Sequence, residues 1–377
     1  MKPLTTHARQ LVYELLELMP SAYQQASLKA MLALFLQARG IALPEHSKHK
    51  SASALSRFLN LYRWSTRGLI RLLRKNALEA LLERPSNSGR RPILRAIIDL
   101  TPLEKSGKFE GLEGLIHLLN KKRGLQLVVL YLEMNGKRLP WGFRLWRGKG
   151  SASPGVLGLK LLGTLPKALT SRYEVMVLAD GAFCSIEFIE GIRRLGHHGV
   201  IGVRKDRRLE EEGTKYLHQL ASSYQGKKRV HLEGLYVPVY VGSFWLKREG
   251  SSKERRFVLS TKAMGAKHIV RWGKRRWKIE GFFKTAKGRF SLHRFAQGSK
   301  LGVYRYLILS MAAYVLAHWG YLCRCSEGLP EWGVGAGVIL EEVLAEVVIM
   351  DLIKEIEERQ TLLRRHDIDI QVHRCKM

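Results

Sequence analysis

Acidic residues are scarce in this sequence. Its 377 residues carry 33 Asp and Glu against 64 Lys and Arg, a formal net charge of +31. A surplus of that size repels itself unless a polyanion accompanies it. That points first to nucleic acid, where each neutralised phosphate releases counterions, and only second to anionic membrane. Cysteine is scarcer still. Cys184, Cys323, Cys325 and Cys375 make no paired C-x-x-C spacing. This excludes a disulfide framework and argues against a zinc site, and it fits a reducing cytosol close to the nucleoid. The opening residues, Met1 to His7, lack the apolar core of a signal peptide. Long apolar runs are missing except for Tyr306–Leu322, which nearly reaches membrane-spanning length but is interrupted by Ser310 and by His318 beside Trp319. A buried core helix is the expectation there, and no membrane partner is expected.

Basic residues, by contrast, recur along the chain. Runs occur at Lys121-Lys122-Arg123, Arg204-Lys205-Asp206-Arg207-Arg208, Lys227-Lys228-Arg229 and Lys274-Arg275-Arg276. A single run reads as a solvated face. Several of one sign, spread through a folded domain, favour a long polyanion lying across the protein.

Length and pattern divide the chain. Residues 8 to about 84 read as helical, with Leu11, Leu15, Leu16 and Met19, then Leu28, Leu32, Phe35 and Leu36, at helical spacing. Pro44 and the polar stretch 45–53 break this region. Beyond the break, Leu55–Leu59 and Leu69–Arg74 mix apolar anchors with arginines, which suits either a small DNA-docking helical unit or a helical cap on the next domain. The breaker cluster Pro85–Pro92 marks a boundary. After it come a short apolar run, Ile93–Leu100, and a buried-strand pattern, Leu125–Leu132. Asn135-Gly136 is a hairpin signal, with Lys137–Trp146 as the returning strand. A helix from Gly158 to about Leu165, a strand at Tyr173–Ala179, a helix at Ile186–Leu195 and a strand at Val200–Val203 follow. Three strands in meander, then helix alternating with strand, predict an α/β core of the ribonuclease H type. Leu235–Val241, Ser243–Lys247 and Arg256–Ser260 predict a β-rich insertion with turns at Gly226 and Gly250. Helices are expected over Trp272–Phe290, most of 301–322, and Val338–Glu358. The expected division is a helical N-terminal DNA-binding domain at 1–88, a catalytic domain at 89–208 and 262–322, a β-rich insertion at 209–261, and C-terminal helices at 323–377.

Two acids stand out. Asp99 follows Ile93–Ile98, and Asp180 follows Val175–Ala179, so both end strands expected to be buried. A carboxylate there is costly unless hydrogen-bond donors or a cation satisfy it, and two such acids on neighbouring strands repel each other. A bound metal is the simplest account of the pair. A third acid, Glu280, shares a helical stripe with Arg276 and Lys287, beside an apolar stripe of Ile279, Phe283, Ala286 and Phe290. Read locally, Arg276 and Lys284 could instead make an ordinary salt-bridge face around Glu280.

The segment Arg276–Lys287 resembles the Tyr–x2–Arg–x3–Glu–x6–Lys signature of DDE transposases from bacterial insertion sequences, with Arg276, Glu280 and Lys287 matching in identity and spacing. Ile97–Thr101 and Leu178–Phe183 are similar to that family's first and second acid motifs. The acids lie 81 and then 100 positions apart, and the longer gap is where such transposases carry a β-rich insertion. The likeness covers roughly residues 90–320. It departs at one place: Gly273 stands where the signature has Tyr, with Trp272 beside it as a possible aromatic substitute.

The resemblance implies two-metal phosphoryl transfer on double-stranded DNA at the element's terminal inverted repeats and at target DNA. Asp99, Asp180 and Glu280 would be both catalytic and metal-binding, holding two Mg²⁺ for which Mn²⁺ may substitute. Arg276, Lys284 and Lys287 would bind DNA, and a homodimer is implied in the DNA complex. Trp272 and Trp245 are candidate aromatic DNA contacts, with core packing the alternative for Trp245. Two other readings stay open. One is a decayed or domesticated DNA-binding protein; the other is a metal-dependent nuclease of the same fold.

Overall fold

Apolar residues at helical spacing build the first four helices. The computed structural model describes residues 4–37, 40–41, 43–83, 91–105, 112–119, 122–211, 214–220, 228–246, 253–324, 331–371 and 373. The breaker cluster 85–90, the turns at Gly226 and Gly250, Lys121, Lys227, Cys325 and Cys375 lie outside the described residues. Helices α1 (Leu4–Glu17), α2 (Ala22–Gln37), α3 (Ala52–Asn60) and α4 (Thr66–Leu82) follow the predicted periodicity. Leu11, Leu15, Leu28, Leu32, Phe35 and Leu36 are fully buried. The Ser51 hydroxyl caps α3 by accepting from the Ala54 N–H at 3.3 Å, which serves one of the donors left free at a helix start.

The strands are β1 (Ile93–Glu104), β2 (Ile116–Leu119), β3 (Lys122–Met134) and β4 (Lys137–Trp146). They are followed by β5 (Glu174–Ala179), β6 (His198–Val203), β7 (Arg208–Glu211), β8 (Thr214–Tyr216), β9 (Lys228–Val230), β10 (Val239–Leu246) and β11 (Glu254–Ser260). The helices among and after them are α5 (Pro154–Leu162), α6 (Lys167–Thr170), α7 (Ile186–Arg194), α8 (Ala266–Arg275) and α9 (Lys278–Gly288). Asn135 and Gly136 both take positive φ, as a tight hairpin between β3 and β4 requires. Strands β4, β3 and β1 run antiparallel in turn, and β5 and then β6 continue in parallel. This is the ribonuclease H-like α/β plan that the pattern predicted.

The insertion is β-rich, but most of it is not a separate sheet. β11 pairs antiparallel with β6, from Phe257↔Val203 to Ser260↔Val200, and β10 and β9 follow outward. The free edge of β6 is thereby satisfied within one nine-stranded sheet, and among the described residues only β7 and β8 pair apart from it. In place of the two strands expected at 235–241 and 243–247 there is one continuous β10, which begins only at Val239; Lys247 lies outside the described residues.

Two expected helices are each two. The helical stretch begins at Ala266, earlier than read, and turns at Arg276–Trp277 between α8 and α9. There the N–H groups of Arg276, Trp277, Ile279 and Glu280 each bond the carbonyl three residues back, a tightening that ends one helix and starts the next. Likewise 338–358 is divided between α11 (Trp332–Glu342) and α12 (Ala345–Arg364), which follow α10 (Lys300–Arg324).

The compact units are residues 77–283, which hold the sheet, and residues 1–76 together with 284–377. In the second unit α10 packs on α1, α2, α3 and α11. Residues 284–322, expected with the catalytic domain, therefore share their core with the N-terminal helices. Among the described residues, α10 is long and apolar enough to cross a membrane, yet 83% of its most apolar window is buried in the protein. Trp319 Nε1 donates to Asn76 Oδ1 at 2.9 Å, which satisfies a polar group that would otherwise be lost in that core.

Candidate catalytic site

The two acids meet by register, though only Asp180 ends its strand: β1 runs on to Glu104, still paired with β3, so Asp99 lies inside it and not at the end expected. β1 and β5 run in parallel with Ile98 opposite Ala179, so Asp99 and Asp180 follow at one level. Asp99 is 7% exposed, with Ile97, Ile98 and Val129 buried around it. Its Oδ1 accepts from the Leu100 N–H at 2.9 Å. Its Oδ2 accepts from Arg276 Nη1 at 2.7 Å. Asp180 is half-buried and caps the turn Gly181–Phe183, its Oδ1 accepting from the Ala182 N–H at 2.9 Å.

Glu280 joins the pair through the same guanidinium. Arg276 Nη2 donates to Glu280 Oε1 at 3.3 Å, and the Glu280 side chain is 61% exposed at the rim. The local salt-bridge alternative is thus present in part, with Arg276 as the partner. What it did not include is the second contact of Arg276, to Asp99. Helix α9 is held by the predicted apolar stripe: Ile279, Phe283, Ala286 and Phe290 are all buried. Phe282, which lies off that stripe, is buried too and meets Tyr131 of β3 at 5.0 Å between ring centroids. Below it, Glu133 takes Arg95 Nη2 at 2.6 Å and Lys278 Nζ at 2.9 Å, pinning the start of α9 to the sheet.

The electrostatics couple the three acids. Burial pushes the Asp99 carboxyl up to about 7; Arg276 opposes this, and the charges of Asp180 and Glu280 add to it. Such a site would be relieved by a cation, and oxygen-only carboxylate donors suit a hard divalent one. As placed, no three His, Cys, Asp or Glu side chains among the described residues converge closely enough to enclose an ion. The guanidinium of Arg276 supplies the positive charge between Asp99 and Glu280.

The other predicted residues are less gathered. Lys284 is exposed one turn beyond Glu280, and Lys287 is partly buried on the same helix. Trp272 is half-buried under the guanidinium of Arg275, 4.3 Å from its ring centroid. Trp245 is 57% exposed on β10, which overturns core packing as its explanation. Gly273 lies against β11: a Cβ there would stand 3.0 Å from both methyls of Val258.

A cleft of about 400 Å³ opens beside Asp180. Arg204, Phe244, Arg256, Lys274 and Trp277 line it with Gly273 and Arg276, and sequence reasoning had singled out neither Phe244 nor Trp277. Arg204 and Lys274 lay in basic runs, but nothing in the sequence told which strand ends those runs would meet.

The family model described as "Transposase DDE domain" matches residues 90–316. No curated protein matches the sequence. Among solved structures, a cryo-EM structure of the piggyBac transposase synaptic complex with hairpin DNA is similar at 11% identity, with a TM-score of 0.47 over 93% of this chain and 79% of that one. The family match spans more than half of the chain and contains Asp99, Asp180 and Glu280, so this chain belongs to the DDE transposase family.

Proposed function

We propose that the chain catalyses divalent-metal-dependent DNA strand cleavage and strand transfer at the ends of an insertion sequence. The observation that carries this reading is that Asp99 and Asp180 stand at one level on adjacent strands, coupled to Glu280 through Arg276. Asp99, Asp180 and Glu280 would hold two Mg²⁺, or Mn²⁺ in their place. A bound divalent ion supplies charge neutralisation for the acids and for the phosphate under attack.

The chain's own residues do the rest. Asp99 is fixed by its strand and, at Oδ1, by the Leu100 N–H, so the Oδ2 that Arg276 holds keeps one direction. Asp180 is fixed by the turn that it caps. Arg276 is poised to exchange a carboxylate for a DNA phosphate, since both accept the same pair of N–H donors. Lys284 and Lys287 extend the cationic side of α9, and such phosphate contacts set the register of a strand without reading its sequence. Trp272 and Trp245 offer aromatic surface to bases. The basic N-terminal helices would dock double-stranded DNA, and two copies would bring two element ends together. The protein would act at the nucleoid.

The test is cleavage of duplexes taken from the DNA flanking the gene. With Mg²⁺, wild type should nick one strand at a defined position, and Asp99→Asn and Asp180→Asn should each lose at least about a hundred-fold in rate while still binding the duplex. Unchanged cleavage by Asp99→Asn would place the chemistry elsewhere.

A further inference from the structure

Of the basic run Arg204–Arg208 only Arg204 lines the cleft described above, yet the fold brings the rest of the run beside it. β6 lies next to β5, so the turn after Val203 starts at the same sheet end as Asp180. In open α/β sheets this carboxyl-end crevice is where ligands sit. Two further clefts, of about 340 and 190 Å³, adjoin the one beside Asp180, and all three share Val203 and Arg204. The larger of them also shares Gly181, the residue after Asp180. The surface is therefore one groove running from the acid past Arg204 to Arg207 and Arg208.

Its lining carries twice as many cationic as acidic side chains. Apart from Asp180, the acids in it make exposed pairs, Arg204 with Asp206 at 3.3 Å, Arg208 with Glu233 at 3.6 Å and Arg256 with Glu254 at 2.7 Å. Pairs of that kind contribute about 0–1 kcal/mol and exchange readily for a better anion. Arg207 is less satisfied. Among the described residues its Nε is buried with no hydrogen-bond partner, and its Nη2 reaches the Glu233 carbonyl at 3.5 Å. An N–H left unmatched in this way favours any acceptor that can enter. A phosphodiester oxygen fits: it is anionic, it takes the planar guanidinium fork, and it arrives in a regular row.

We propose that the groove along Arg204, Arg207 and Arg208 is a second DNA-backbone site, which carries the phosphates of a strand leading away from the catalytic acids. The proposal rests on the function proposed above, because it takes DNA as the ligand. The same chemistry could be met by the element end or by the flanking DNA, on either side of the cut.

Fluorescence anisotropy with a labelled duplex from the element end, in Ca²⁺ to prevent cleavage, tests it across a salt series. Arg204→Gln/Arg208→Gln removes two exposed charges with little risk to folding, because their side chains are 79% and 58% exposed. Lys160→Gln/Lys167→Gln, exposed on α5 and α6, is the charge-matched control. The groove variant should bind roughly ten-fold more weakly, with a salt slope smaller by about two, while the control stays near wild type. Arg207→Gln should add a further loss. Probes cut back to the scissile position from each side identify the occupant, since the defect disappears only when the duplex lying in the groove is removed. A groove variant indistinguishable from the control overturns the proposal. Wild-type binding without any cleavage in Mg²⁺ sinks the functional reading instead, and leaves the groove standing.

Discussion

The guanidinium of Arg276 lies 2.7 Å from the buried carboxylate of Asp99 and, through its other terminal nitrogen, 3.3 Å from Glu280. One cation from the turn between α8 and α9 thus ties an acid of β1 to a helix acid 181 positions further along the chain.

That relationship sets a pH dependence. Burial raises Asp99 from its usual 3.8 to about 7 against the pull of Arg276. A carboxyl raised on folding binds more protons folded than unfolded, so its contribution to stability falls as pH rises from about 4 to about 7. In metal-free protein, Asp99→Asn should abolish this part of the slope. Arg276→Gln removes the opposing cation, moves Asp99 higher still, and should extend the fall in stability above pH 7. Urea denaturation in EDTA at several pH values reads both, and a slope that survives in Asp99→Asn would refute the assignment.

Gly273 has a packing reason to lack a side chain. With Val258 methyls 3.0 Å from where a Cβ would be, restoring the signature's tyrosine overpacks the contact between α8 and β11. Gly273→Tyr should cost about 1–3 kcal/mol, and adding Val258→Ala should recover part of it. Thermal denaturation of the two single variants and the double variant closes the cycle. Additive losses would mean that the two residues do not compete for space.

In the helical unit, Arg305 is 2% exposed. It donates to the carbonyls of Leu59 at 3.0 Å and Trp64 at 2.8 Å, to the Thr66 hydroxyl at 3.2 Å, and lies 3.9 Å from the Trp64 ring centroid. Burial lowers its pKa to about 10, which leaves it charged at neutral pH. A lysine ammonium cannot span these acceptors, so Arg305→Lys should lose about 2–3 kcal/mol in chemical denaturation. Wild-type stability in Arg305→Lys would make the fork geometry irrelevant.

Glu133 makes the matching prediction for the sheet. Burial pushes its carboxyl up, but Arg95 and Lys278 outweigh this and hold it below the usual 4.5. Its contribution is therefore present above about pH 4.5 and lost as pH falls through the lower folded value. Glu133→Ala strands two cations beside the core and should cost about 3–5 kcal/mol near neutral pH. A loss that does not shrink in acid would contradict the pairing.

Much of this was legible in the sequence because it is local. Apolar periodicity marked α1 to α4, β1, β3 and β5; Asn135-Gly136 marked the hairpin; and Val175–Asp180 read as an acid ending a buried strand, whereas Asp99, read the same way, lies inside a β1 that runs on to Glu104. The break at Arg276–Trp277 was not legible, since neither proline nor glycine stands at it. Nor was the exposure of Trp245, because an aromatic in an alternating strand fits either face until its sheet has neighbours.

The sequence by itself determined the protein's own excess of positive charge, the types of most of its elements, and the identity and spacing of its three acids, all of which are read from composition or from residues near one another in the chain. Only the tertiary structure decided that β11 caps the edge of β6, that Arg276 turns from Glu280 to Asp99, and that Arg204–Arg208 opens beside Asp180. These depend on which strand ends become neighbours, and that is set by the packing of the whole sheet rather than by the pattern of any one segment.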